Sequence, residues 1–231
     1  MRLVFIRHGD PDYQNDCLTP LGRMQAGHTA TRLQSEPIDR IYASPMGRTI
    51  ETASYTARLY GLEIQPLGFM HEIDWGTVPG AETVPFGGHP WTLGFRLLTE
   101  CPALAGSPKW RNHPYFRDNL CLGYYDQVAA GFDAFLERFG LFRKGMLYEA
   151  KKPCEETIAL FAHGGSGAVM FAHVLGLSFP FVLATMPYGV CSVSVIDFTP
   201  QHEGLVIPRL ELFNDMAHLG EVKAERLHFD K

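Results

Sequence analysis

Two arginines, two histidines and a glutamate stand where they could handle an anion. "VFIRHGD" ends an apolar run in Arg7, His8 and Gly9, and "ALFAHGG" ends another in His163 and Gly164. An imidazole, with an unperturbed pKa of about 6.5, serves near neutral pH as nucleophile or acid–base group. Glycine lets the backbone turn sharply and lets a ligand come close to it. Arg48, in "SPMGRTIETA", lies one turn into a predicted helix, whose free N–H groups and dipole attract anions. A guanidinium stays charged and offers a planar fork, so Arg7 and Arg48 together would suit one phosphate. Taken alone, Arg48 would read as part of a solvated helix face. "HEIDWG" adds Glu72 and its rival Asp74. A carboxylic acid beside a phosphate can protonate a leaving oxygen, although a surface position is the commoner fate of any single Glu.

These residues need elements to hold them. Leu3–Ile6 reads as a short buried strand, and "ETIALFAHGG" as a second of the same kind. "LTPLGRMQAGHTATRLQSE" reads as a helix with Thr19 as N-cap, Pro20 in its first position, and Leu21, Met24 and Leu33 on its apolar face. "IDRIYAS" is a strand, Ser44 and Pro45 open a helix that runs to Tyr60 and is closed by Gly61, and "LEIQPL" is a third strand. "YYDQVAAGFDAFLERFG" and "SGAVMFAHVLGL" are apolar helices. "VCSVSVIDF" and "GLVIPRLELFN" read as two late strands. Strands alternating with helices predict an α/β protein: a three-layer sandwich with a mostly parallel central sheet and helices on both faces. Ligands of such sheets bind beyond the carboxyl ends of the strands, where both His-Gly pairs fall. Residues 79–123 depart from this rhythm. They are rich in Gly, Pro, Trp and His, only "WTLGFRLLTE" among them looks helical, and they read as an insertion forming a lid or specificity region.

The 231 residues suit a single domain, 1–231, with 46% hydrophobic and 19% charged residues. A net charge of -5 argues against nucleic acid or an anionic membrane as partner, and leaves room for a small anion. The cysteines number 5, none at C-x-x-C spacing, which predicts free thiols and a cytoplasmic setting. Neither a secretory leader nor a membrane-spanning helix is expected.

Taken in order, "RHG", "LTPLGRMQA", "SPMGRTIETA", "EIDWG", "AHGG" and "NDMAHL" resemble the histidine phosphatase superfamily, also called phosphoglycerate mutase-like. The resemblance covers most of the chain. It implies that His8 is the nucleophile and forms a phosphohistidine. Arg7, Arg48, His163 and Gly164 would bind phosphate, with His163 also catalytic, and Glu72 would be the proton donor. It also implies that no metal and no cofactor is needed, because the arginines supply the charge.

Three reactions compete. Mutases of this family carry a longer loop with a Gly-Trp segment after the first His-Gly. Here "DPDYQNDCLTPLG" passes straight to the helix, which favours a phosphomonoesterase. A non-catalytic phosphate-binding module is the third reading, and the complete residue set argues against it. The histidine spacings give a metal hydrolase little support. His28 and His173 are expected to be structural and His218 not catalytic, whereas His71, His89 and His113 could face a substrate. The resemblance implies a small phosphorylated metabolite as substrate. Arg111 and Arg117 of the insertion are candidates to contact it, and the apolar insertion is a candidate surface for a second copy.

Overall fold

The computed structural model describes residues 1–222. In chain order the elements are β1 (Arg2–Arg7), β2 (Pro11–Asp12), β3 (Cys17–Leu18), α1 (Pro20–Leu33), β4 (Arg40–Ala43), α2 (Gly47–Tyr60), β5 (Ile64–Pro66), α3 (Pro90–Glu100) and α4 (Leu120–Glu137). There follow β6 (Leu141–Lys144), β7 (Leu147–Ala150), β8 (Thr157–Ala162), α5 (Gly164–Leu175), α6 (Phe179–Thr185), β9 (Val193–Asp197), β10 (Leu205–Val206) and β11 (Arg209–Asp215).

The central sheet has the order β11-β9-β1-β8-β4-β5. From β1 to β5 every pairing is parallel, while β9 runs antiparallel to β1 and β11 antiparallel to β9. Side chains alternate across this sheet. Val4 and Ile6 of β1 pack with Leu33 of α1 and with Ala53 and Ala57 of α2. Leu3 and Phe5 join a larger core with Phe132 and Phe135 of α4 and Val169 and Phe171 of α5. The result is the three-layer α/β sandwich with a mostly parallel sheet. β10, β7 and β6 form a small separate sheet, and β2 pairs with β3 in the turn after His8. No helix among the described residues is long and apolar enough to cross a membrane.

Several boundaries differ from the sequence reading. On α1, Leu21 and Met24 are exposed, and the buried side carries Gly22, Gln25, Ala26, Thr29, Ala30 and Leu33. Polar side chains occupy that face because they hold neighbouring backbone, as shown below. α4 begins at Leu120, with Asn119 as its N-cap, and so overlaps the end of the 79–123 segment. "GLVIPRLELFN" divides around Ile207 and Pro208 between two sheets. The β6–β7 hairpin and the short helix α6 were not foreseen. Within residues 79–123 lie α3 and three 3-10 turns. Trp110 is buried there against Phe116, Tyr125 and Phe179, so the segment packs firmly onto the body of the protein through α6.

Candidate active site

β1, β8 and β4 lie side by side, and the residues just past their carboxyl ends are His8, His163 and Ser44. The sheet therefore delivers to one place what the sequence holds far apart. The His8 and His163 rings meet edge to face, 5.2 Å between centroids. Among the described residues no three His, Cys, Asp or Glu side chains are gathered so as to hold a metal ion.

His8 is buried, and its Nδ1–H donates to the carbonyl oxygen of Gly9 at 2.7 Å. That bond assigns the proton to Nδ1 and leaves the Nε2 lone pair free. Burial, and then the charge of Arg7, lower the His8 pKa to about 3, so the ring is neutral across the physiological range. Its backbone is held by packing that only glycine permits. A Cβ on Gly9 would lie 2.7 Å from the Gly22 oxygen, and one on Gly22 would lie 2.2 Å from the Asp10 oxygen. Gln25 accepts from the Asp10 N–H at 2.8 Å, and the Gly9 N–H donates to the Thr52 hydroxyl at 3.0 Å. The Thr19, Gly22 and Gln25 of "LTPLGRMQA" thus brace the turn after His8: Thr19 accepts from the Gly22 N–H and donates to the Asp10 carboxylate at 2.6 Å.

His163 is fully buried, and its Nε2 lies 2.7 Å from the Ser44 hydroxyl and 3.2 Å from that of Thr49. The Ser44 oxygen accepts from the Met46 N–H, so its proton is free for His163. This sets the proton of His163 on Nδ1, an atom with no partner among the described residues. Burial, with the charges around it, pushes the His163 pKa far down.

Arg7 and Arg48 complete the pocket. The Arg7 Nη1–H donates to the Tyr188 carbonyl at 2.8 Å, and the Arg48 Nη1–H to Asp16 at 2.5 Å. Asp16 also accepts from the Gly47 N–H at the start of α2, at 2.6 Å. In both arginines Nε is buried without a partner among the described residues. Three donors around His8 are therefore open: Arg7 Nε, Arg48 Nε and His163 Nδ1. Buried donors are almost always paired, and a bound anion would pair these.

Glu72 sits at the N-terminus of α5. Its Oε1 accepts from the N–H groups of Gly165 (2.9 Å), Ser166 (3.0 Å) and Ile73 (3.0 Å). Burial nevertheless outweighs these bonds and the charge of Arg7, and raises the carboxyl above the usual Glu range. With Oε1 committed as acceptor, the acidic proton belongs on Oε2. The glycines of "HGG" fit this arrangement closely, the second more tightly than the first. A Cβ on Gly164 would touch the Arg7 guanidinium at 3.3 Å, and one on Gly165 would lie 2.6 Å from Glu72 Oε1 and 2.3 Å from Ile73 Cγ1. Asp74, the rival acid, is exposed and caps the Trp75 N–H.

The other candidates fall elsewhere. Arg111 pairs with Asp126 at 2.8 Å and stacks on Trp110, while Arg117 pairs with its neighbour Asp118. Neither joins the cluster. His28 and His173 bond to the His218 carbonyl and to Asp133, which is a structural use. His89 caps α3 through Thr92, and His113 packs against Tyr115. His71 flanks Glu72, its ring against Tyr124. Sequence reasoning missed Ser44, Thr49, Asp16 and Tyr188. Tyr188 donates to the Gly164 carbonyl at 2.6 Å beneath the Arg7 guanidinium.

Residues 3–87 match the family described as the histidine phosphatase superfamily (branch 1). Over that stretch the chain is similar to the histidine phosphatase superfamily. The matched stretch carries Arg7, His8, Arg48 and Glu72; the fold brings His163 to them from beyond it. Solved structures of phosphatases share this fold. A phosphoserine phosphatase from Entamoeba histolytica, solved with 3-phosphoglyceric acid, aligns with TM-score 0.62 at 20% identity, over 94% of this chain and 98% of that one. A mycobacterial glucosyl-3-phosphoglycerate phosphatase gives 0.61 at 20% identity, over 92% and 98%. The alpha-ribazole phosphatase of Shigella flexneri gives 0.58 at 18% identity, over 93% and 96%. No curated protein matches the chain in sequence.

Proposed function

We propose that this protein hydrolyses phosphomonoesters of small metabolites through a phosphohistidine on His8. One observation carries the reading: His8, with Nε2 free, is clustered with His163 and with Arg7 and Arg48, and Arg7 Nε, Arg48 Nε and His163 Nδ1 are buried without a partner among the described residues. The Nε2 lone pair attacks phosphorus in line and the P–O bond to the leaving group breaks. The leaving oxygen takes the proton of Glu72. The two guanidiniums and the His163 N–H hold the equatorial oxygens, whose charge is spread in the transition state. Water then attacks the phosphohistidine and gives a proton to the Glu72 carboxylate. The P–N bond breaks with its electrons returning to Nε2, and the enzyme is restored. No step calls on a metal or cofactor, because the arginines supply the positive charge.

Phosphatases among the structural neighbours support hydrolysis of small phosphorylated metabolites. The short hairpin between His8 and α1 favours hydrolysis over phosphoryl return to a bound acid. In this reading residues 79–123 shape the leaving-group side of the pocket, and the 5 free cysteines fit a cytoplasmic enzyme.

The test is hydrolysis of p-nitrophenyl phosphate with chelator present. Turnover by the wild type that is lost in His8→Ala is the expected result. Turnover that survives in His8→Ala would sink the mechanism.

A further inference from the structure

The turn Tyr188–Cys191, between α6 and β9, was invisible as a motif, yet it grips the catalytic dipeptide at several points. Cys191 is fully buried and has φ +54, a left-handed conformation unusual for a residue with a side chain. In that conformation its N–H reaches both the Arg7 carbonyl (3.0 Å) and the His8 carbonyl (3.2 Å). The same turn takes the Arg7 guanidinium on the Tyr188 carbonyl. The Cys191 carbonyl faces the other way. It accepts from the Nε2–H of His218 at 3.1 Å, and the Thr29 hydroxyl lies 3.4 Å from it. Thr29 Oγ1 lies 3.0 Å from the same His218 nitrogen, and the Gln25 carbonyl takes its proton at 2.8 Å. Gln25 is the residue that holds Asp10, two positions past His8.

We infer that His218 is a positioning residue for the reaction, acting through the strained Cys191 peptide. Its ring holds the carbonyl of the Cys191–Ser192 peptide and so, through the dihedrals of Cys191, the orientation of the preceding peptide, whose N–H holds Arg7 and His8. Released from His218, a residue at positive φ relaxes toward negative φ. The Cys191 N–H then swings off the two carbonyls, and the His8 ring loses its aim. This inference rests on the assignment of His8 as the nucleophile. Displacing a reacting group by about 1 Å costs on the order of a hundredfold in rate, so even partial slack is measurable.

The experiment compares His218→Ala with His218→Gln, whose amide N–H reaches about as far as Nε2. The readouts are kcat and KM for p-nitrophenyl phosphate, Tm, and the NMR signal of the His8 Nδ1–H. We expect His218→Ala to lower kcat about tenfold or more with KM within about twofold, and to shift or broaden the His8 signal. His218→Gln should restore both. Wild-type kcat and a wild-type His8 signal in both variants would overturn the inference. So would a Tm loss shared by both variants with kcat per folded enzyme unchanged. If the wild type hydrolyses no phosphomonoester, the proposed function fails, and the His8 signal still decides the role of His218.

Discussion

Glu72 illustrates how one side chain acquires a role its type does not dictate. Three backbone N–H groups on Oε1 would keep a carboxylate ionised, yet burial prevails and its pKa is raised. A raised pKa keeps the acid form available at higher pH, which general-acid catalysis requires. The sign follows: kcat/KM should fall as pH rises through the raised Glu72 pKa. Glu72→Gln should lose that limb of the profile. It should also slow hydrolysis of an alkyl phosphate by about a hundredfold or more, and that of p-nitrophenyl phosphate much less, because nitrophenolate leaves without a proton. Steady-state kinetics with the two esters over a pH series measures both. Equal losses for the two esters would remove Glu72 from the acid role. At this scale the sequence was readable. Arg7, His8, Arg48 and His163 each lie at a strand end or helix start marked by Gly or Pro, Glu72 lies in the loop after β5, and the fold brings all five together.

At the scale of elements, legibility depended on whether a residue acts through its side chain or its backbone. Thr19 as a cap and Gly61 as a terminator obey local rules and stand where those rules put them. The exposed side of α1 was read as buried because Gly22, Gln25 and Thr29 look polar or small, whereas their use is to hold the turn around His8. "MPYGVC" shows no pattern, since its value lies in the Tyr188 carbonyl and the Cys191 peptide, and it meets Arg7 because β9 happens to lie beside β1. The N-terminus of α5 allows a direct trial of element against site. Gly165→Ala places a methyl group into Glu72 and Ile73, whereas Gly164→Ala makes the looser contact with Arg7. We expect Gly165→Ala to cost about 1–3 kcal/mol of stability, as overpacking does, together with most of kcat. Gly164→Ala should cost less on both counts. Thermal melts and kcat of the two variants, side by side, check the order; the reverse order would mean that the start of α5 is not where Glu72 is held.

For the whole molecule, the pocket has a cost that appears on acidification. The folded protein holds the His8 pKa at about 3, and holds His163 neutral by burial as well. An unfolded chain would protonate both near pH 6.5. Below that pH the unfolded state binds more protons than the folded one, so stability falls as pH drops from about 6.5 toward 3. Tm measured across that range should decline steeply for the wild type and less steeply for His8→Gln. Parallel curves would show that the His8 ring is not the group resisting protonation. Burial, with the neighbouring charges, thus keeps both histidines neutral.

The sheet order has a consequence for how the protein comes into being. β1 leads into His8 and is made before its two neighbours, β8 and β9, which begin at residues 157 and 193. Until then the strand "RLVFIR" has no partner on either edge, the kind of apolar edge that invites aggregation. Pairings this distant along the chain also close slowly. A nascent chain therefore carries His8 apart from His163 until β8 and β9 have been made and slide in on either side of β1.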